Sequence, residues 1–203
     1  MQYGSRLDSS GEVIKDNEVK LRPVAGEKVE GNSIVSIGMD KDKDGNPAPN
    51  RAAVEFKQAN GTVVKWSIFE PQPSTERIID KFGKEVGNND WQLDKMNKNI
   101  RHLATKIVSE DEYFAAIEAN GGPKSFVDFI NRVSNVLMPA CVGKVFTMKF
   151  VYLKGYVSIP NFPHWIATPD NTDALITTKS DSYVPEKPSA TPLTKAVSSP
   201  DAF

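Results

Sequence analysis

The chain has 203 residues, 39% of them hydrophobic and 25% charged, which is enough apolar material for one core with a helical annex. Its 25 Lys and Arg nearly balance 26 Asp and Glu, a formal net charge of -1, so any attraction to nucleic acid has to come from a local groove rather than from global charge. No stretch approaches the roughly 20 apolar residues of a membrane span, Met1 to Asp8 lacks the order of a secretory signal, and the single cysteine, Cys141, has no internal partner; a cytoplasmic protein without membrane contact is expected.

Residues 1 to 27 are polar and mixed in charge, with no sustained apolar period despite Val19 and Leu21, and are expected to form a flexible N-terminal arm. The pattern changes at Lys28. Val29, Ile34, Val35 and Ile37 lead through Gly38 into the very polar stretch from Asp40 to Asn50, followed by Ala53, Val54 and Phe56, which reads as strand, long loop, strand. Asn60-Gly61 is the chemistry of a tight hairpin turn, whose central residues must take positive φ. Val63, Val64, Trp66, Ile68 and Phe69 then form a third strand, ended by Pro71 and Pro73.

Residues 71 to 138 read as a helical insertion. Ser74 is placed to cap a short helix with Ile78, Ile79 and Phe82 on one side, limited by Gly83 and Gly87. Met96, Ile100, Leu103 and Ile107 fall at helical spacing, with Lys95, Lys98, Arg101 and Lys106 on other faces. Ser109-Glu110-Asp111-Glu112 has the form of a capping box before Tyr113, Phe114 and Ile117, and Gly121-Gly122-Pro123 stops that helix. Phe126, Phe129, Ile130, Val133 and Leu137 give the clearest helical face in the chain, ended by Pro139.

Strand character returns at Gly143, where Phe146, Met148, Phe150 and Tyr152 alternate with Val145, Thr147, Lys149 and Val151 and make one face apolar. Leu153-Lys154-Gly155 reads as a turn into a short strand, Tyr156 to Ile159, ended by Pro160. The order of three strands, helices and two strands defines an α+β protein whose domain runs from residue 28 to 169. Beyond it the Pro, Ser, Thr and Ala content rises and few large apolar residues remain, so residues 170 to 203 are expected to be a flexible C-terminal tail.

Candidate chemistry is sparse. Asp40-Lys41-Asp42-Lys43-Asp44-Gly45 matches the first half of a calcium loop, but Arg51 stands where the bidentate glutamate is required and Pro47 and Pro49 oppose a following helix, so the stretch reads as a solvated hairpin loop. The two histidines, His102 and His164, have no ligand partner at metal-binding spacing, and His102 is expected on a helix surface. No phosphate cradle, nucleophile elbow or Cys-His arrangement occurs, and Glu110, Asp111 and Glu112 read as first-turn helix charges. No cofactor, metal or catalysis is expected, only binding.

Aromatic residues interleave with lysine on the predicted strands: Phe56-Lys57, Lys65-Trp66, Lys149-Phe150, and Tyr152 through Lys154 to Tyr156. Single-strand binding uses this chemistry, because bases stack on aromatic faces while ammonium groups neutralise phosphate. Alternation groups Trp66 with Val64 and Ile68, and Phe150 with Phe146 and Met148, so a core role competes with stacking at those two rings. Tyr152, Tyr156, Phe162 and Trp165 lie near strand ends and turns, where either role fits.

The block from Gly143 to Ile166, Gly-Lys-Val-Phe-Thr-Met-Lys-Phe-Val-Tyr-Leu-Lys-Gly-Tyr-Val-Ser-Ile-Pro-Asn-Phe-Pro-His-Trp-Ile, resembles the final strands of single-stranded DNA-binding proteins of tailed phages, particularly crAss-like phages. With the meander and the helical insertion before it, the resemblance spans residues 28 to 166. It implies a five-stranded, OB-like antiparallel barrel with the helical insertion at 71 to 138, and DNA binding that needs no cofactor and ignores sequence, in phage replication or recombination. On that barrel the groove is expected to be set by Lys57, Lys65, Trp66, Lys149, Tyr152, Lys154 and Tyr156. The chain end, Ser199-Pro200-Asp201-Ala202-Phe203, is similar to the acidic tails by which many such proteins recruit replication proteins, and docking through Phe203 is implied. This tail departs in charge, since it holds Lys179, Lys187 and Lys195 and one acid in its last ten residues, so strong competition with DNA is not implied. The near-neutral charge also fits a second reading, a phage virion or assembly protein that binds protein partners.

Overall fold

The computed structural model describes residues 2–13, 26–42, 44–153, 156–160, 164–172 and 175. Residues 1 and 14–25 of the expected arm and nearly all of the expected tail lie outside them.

The first three strands, β1 (Gly26–Lys41), β2 (Pro47–Lys57) and β3 (Val63–Phe69), form an antiparallel meander. The second turn closes on the Asn60-Gly61 pair: the Thr62 N–H donates to Asn60 Oδ1 at 2.9 Å, and Gly61 takes a φ of 85°. Alternation sets the two faces. Ala52, Val54 and Phe56 of β2 and Val64, Trp66 and Ile68 of β3 face the core, leaving Arg51, Glu55, Lys57, Val63, Lys65, Ser67 and Phe69 on the outside.

Residues 77 to 87 depart from the expected helix and fold as a small hairpin, β4 (Arg77–Ile79) and β5 (Glu85–Gly87), with Ile78 opposite Val86. Local polar chemistry decides it. The Asp80 carboxylate accepts the N–H groups of Phe82 at 2.8 Å and Lys84 at 2.9 Å, and Gly83 takes a φ of 80° to close the turn. A self-satisfied aspartate turn and two glycines outweigh a helical period carried by only Ile78, Ile79 and Phe82.

Three helices follow: α1 (Asp90–Ala104), α2 (Glu110–Glu118) and α3 (Phe126–Cys141). Ser109 caps α2 by accepting the Glu112 N–H at 3.2 Å, and Ser125 caps α3 by accepting the Asp128 N–H at 3.1 Å. The apolar stripe of α3, Phe126, Phe129, Ile130, Val133 and Leu137, is fully buried, and the helix lies against β1, where Ser134 Oγ donates to the Ile37 carbonyl at 2.8 Å. Pro139 does not end α3. The missing N–H costs one bond near a helix end, and one further half-turn seats the buried Cys141, whose thiol burial pushes up to about 11.

The last strands are β6 (Phe146–Leu153), β7 (Tyr156–Ser158) and β8 (Ile166–Ala167). β6 returns against the first half of β1, with Gly26 opposite Val151 and Asn32 opposite Phe146, whereas β2 pairs with the second half. One strand therefore serves both halves of the sheet. It bends at Gly31, with a φ of 71°, and at the buried Asn32, whose Nδ2 donates to the Val29 carbonyl at 2.7 Å and the Phe146 carbonyl at 3.2 Å. The hydrogen-bonded order β3-β2-β1-β6-β7, with β8 on β6, makes a curled antiparallel sheet whose end strands, β3 and β7, approach one another. The protein is thus α+β, with α3 against β1 and β2 and the other two helices packed beyond it.

Residues 2–13 are docked rather than loose. Tyr3 is buried, its ring stacked on Phe129 at 5.7 Å between centroids and its hydroxyl donating to Glu70 at 3.0 Å. The Gly4 N–H donates to the buried Asn97 of α1 at 2.8 Å. A single aromatic anchor with precise polar partners produces no apolar period, which is why this segment reads as an arm.

Candidate nucleic-acid interface

The outer face of β1, β2 and β3 gathers cations and an exposed ring. Lys57 projects there between Ser33 of β1 and Val63 of β3, and Lys65 projects opposite Glu55 of β2. These two of the seven expected groove residues share a described solvent-facing surface. Trp66 does not: its alternation turns it inward, where it meets Trp165 edge to face at 5.2 Å. Lys149 is 4% exposed, because β6 runs through the middle of the sheet with β1 on one side and β7 and β8 on the other, and both its faces are covered. Its backbone N–H donates to the Trp165 carbonyl at 2.7 Å. Trp66 and Lys149 therefore leave the expected groove. Tyr152 and Tyr156 are placed in β6 and β7 by backbone alone, and Lys154, Phe162 and Phe203 lie outside the described residues.

The face also holds residues that the sequence reading passed over. Phe69 is 64% exposed and stands directly opposite Arg51, while Val35 and Val63 add exposed apolar surface. The signal was present in the phase of the strand: Phe69 shares its side with Val63, Lys65 and Ser67, not with Trp66 and Ile68.

One buried carboxylate organises the cations. Asp40, near the end of β1, holds Arg51 Nε at 2.7 Å from Oδ2 and accepts a hydrogen bond from Lys65 Nζ at Oδ1, which also takes the Lys41 N–H at 2.8 Å. Burial pulls its pKa upward, but the Lys65 and Lys41 bonds and the two positive charges hold it below the ordinary carboxylate range. Glu55 lies on the same face and accepts from Ser36 at 3.0 Å. Three cations thus face two carboxylates, a locally positive but lightly charged surface. At its edge, the Asp42 carboxylate accepts the N–H groups of Asp44 at 2.8 Å and Asn46 at 3.0 Å, so part of the calcium-like string is spent on its own hairpin turn.

His102 lies inside, contrary to the expected helix surface, at 1% exposure. Its Nε2 accepts the His164 N–H at 2.8 Å, which leaves the proton of the neutral ring on Nδ1. Burial, reinforced by the charges of Lys106 and His164, pushes its pKa down to about 3. The residue is a clasp between α1 and the segment that leads into β8. Among the described residues no three His, Cys, Asp or Glu side chains gather as metal ligands, and no helix is long and apolar enough to cross a membrane.

No protein-family model matches the chain, and neither does any curated protein or solved structure.

Proposed function

We propose that this protein binds single-stranded DNA without regard to sequence, in phage DNA replication or recombination, on the outer face of β1, β2 and β3. The observation that carries the reading is Phe69 standing exposed opposite Arg51 on the face that also carries Lys65 and, at its far end, Lys57. The strand order adds support. Three strands in a meander, helices, then a strand returning against β1 and a last one beside it is compatible with a partly open OB barrel, a fold whose second and third strands and flanking loops take oligonucleotides. Fold alone confers no activity, so the side chains bear the weight.

In this mechanism Lys57 meets one phosphate, Lys65 and Arg51, which share the charge of Asp40, together meet a second, and a base stacks on Phe69. Lys154, Tyr152 and Tyr156 are proposed as further contacts. Two phosphate contacts give a salt slope of roughly -1.4, equivalent to about a sevenfold loss of affinity between about 50 and 200 mM salt. Loss of the stacked base in Phe69→Ala weakens binding by about 1–3 kcal/mol. The test is fluorescence polarisation of a labelled oligothymidine, with duplex DNA as control. Salt-sensitive binding that weakens tenfold or so in Phe69→Ala supports the reading. Absence of binding at low salt in a folded sample, or equal affinity in Phe69→Ala and Lys57→Ala, overturns it. Phe203 is proposed to dock replication proteins, so removing residues 199–203 should leave DNA affinity unchanged.

A second reading, a virion or assembly protein, is favoured by the exposed Ile79 and Phe82 of the β4–β5 hairpin. Its mark is concentration-dependent assembly without nucleic acid, read by sedimentation.

A further inference from the structure

The β4–β5 hairpin contributes little to the core: all three residues of β4 are exposed, and a lone two-stranded ribbon is marginal in water. Yet it is held firmly. Asp90, at the start of α1, accepts the Ser74 hydroxyl at 2.7 Å on one oxygen and the Gly87 N–H at 2.7 Å on the other, and a Cβ at Gly87 would stand 2.4 Å from Ser74 Oγ. This clamp sets the hairpin against α1 and opens a pocket of about 360 Å³ between them, walled by Ile78, Phe82, Val86 and Trp91. Phe82 is 75% exposed and Trp91 59%, side chains whose exposure side by side marks an interaction surface.

The rim states the partner's charge. Asp8, Glu12, Asp80, Asp90 and Asp94 line the pocket with one cation, Lys84, itself paired with Glu12, while Arg77 pairs with Asp90 from outside the lining at 3.9 Å. Asp94 titrates above its ordinary value, first because of burial and then because of the neighbouring charges of Asp8 and Asp90. Both rings already accept a cation: Lys81 Nζ lies 4.9 Å from the Phe82 centroid and Lys95 Nζ 5.9 Å from that of Trp91. Five carboxylates outnumber Lys84, Lys81, Lys95 and Arg77, so the surface stays net negative, in contrast to the DNA face.

We propose that this pocket docks a short segment of another protein that presents a bulky apolar side chain flanked by lysine or arginine. The apolar side chain enters between Phe82 and Trp91, and the flanking cations meet the carboxylate rim. A preformed pocket keeps the ordering cost low, and an aromatic-walled centre with a charged rim is the usual anatomy of a small docking site.

The test is selection from a displayed library of random peptides of roughly a dozen residues against the full chain, followed by titration of the enriched peptides. Enriched sequences are expected to place Lys or Arg within two residues of Leu, Ile, Met, Phe or Trp. Their affinity should fall about tenfold or more in Trp91→Ala and in Phe82→Ala, and severalfold in Asp94→Asn or on raising salt. Because both rings are exposed, thermal melts of these variants should match the parent. Failure to enrich, enrichment of acidic peptides, or unchanged affinity in both ring variants overturns the proposal. So does oligothymidine binding that is lost in Trp91→Ala and retained in Phe69→Ala, which would make this pocket the nucleic-acid site.

Discussion

Replacing Asp40 by Asn should move stability and DNA affinity in opposite directions. The carboxylate is buried and bridges Arg51 and Lys65, so the change preserves shape and removes one negative charge. Breaking a buried pair costs about 3–5 kcal/mol when the orphaned partner stays buried, but Arg51 and Lys65 both reach solvent, which reduces the loss to about 1–2 kcal/mol. On the binding side, two cations and one carboxylate carry a net charge of +1, which becomes +2 in the variant. One more phosphate neutralised steepens the salt slope by roughly 0.7, an additional factor of about three in affinity between about 50 and 200 mM salt. Urea denaturation reads the first effect, and oligothymidine polarisation at several salt concentrations reads the second. If affinity falls along with stability, Asp40 positions the cations for DNA instead of competing with it, and the reasoning about charge release is refuted.

Two further outcomes follow from buried groups. His102 has a folded pKa near 3 against about 6.5 unfolded, so the unfolded state binds the extra proton between these values; the contribution is complete above pH 6.5 and is lost as pH falls. From pH 7.5 to 5 the loss should be about 2 kcal/mol in urea titrations, and a His102→Gln variant with the same pH dependence would assign the slope elsewhere. Gly4→Ala places a Cβ 2.5 Å from Ile117 Cγ2 at a φ of 68°, and should cost about 1–3 kcal/mol through clash and strain together. A melting temperature equal to that of the parent would mean that residues 2–13 do not hold this position in solution.

Much of the sheet is legible as period two. The phases of β2, β3 and the apolar side of β6, the Asn-Gly turn, the Ser109 cap and the stripe of α3 can all be read locally, because each is fixed by residues within a few positions of one another. The hairpin at 77–87 was hidden because three apolar residues mimic a helical face while the Asp80 carboxylate quietly satisfies a turn. Distant partners concealed the rest. His102 is buried by a segment 62 residues further along, and Lys149 by its strand's place in mid-sheet, neither of which alternation records. Phe69 is the reverse case: its phase with Val63 and Lys65 points outward and is legible in the strand itself.

The double duty of β1 also dictates a timetable. Its pairing with β2 joins residues a few turns of chain apart, but its pairing with β6 joins Asn32 to Phe146, 114 residues later. On the ribosome the meander can assemble as soon as β3 emerges, yet its apolar inner side must wait for α3 and β6 to be synthesised. Non-local closure of this kind is slow, and an open sheet with an uncovered side is prone to association. A nascent chain arrested before residue 146 should therefore be a client for chaperones, and release past residue 167 should end that dependence.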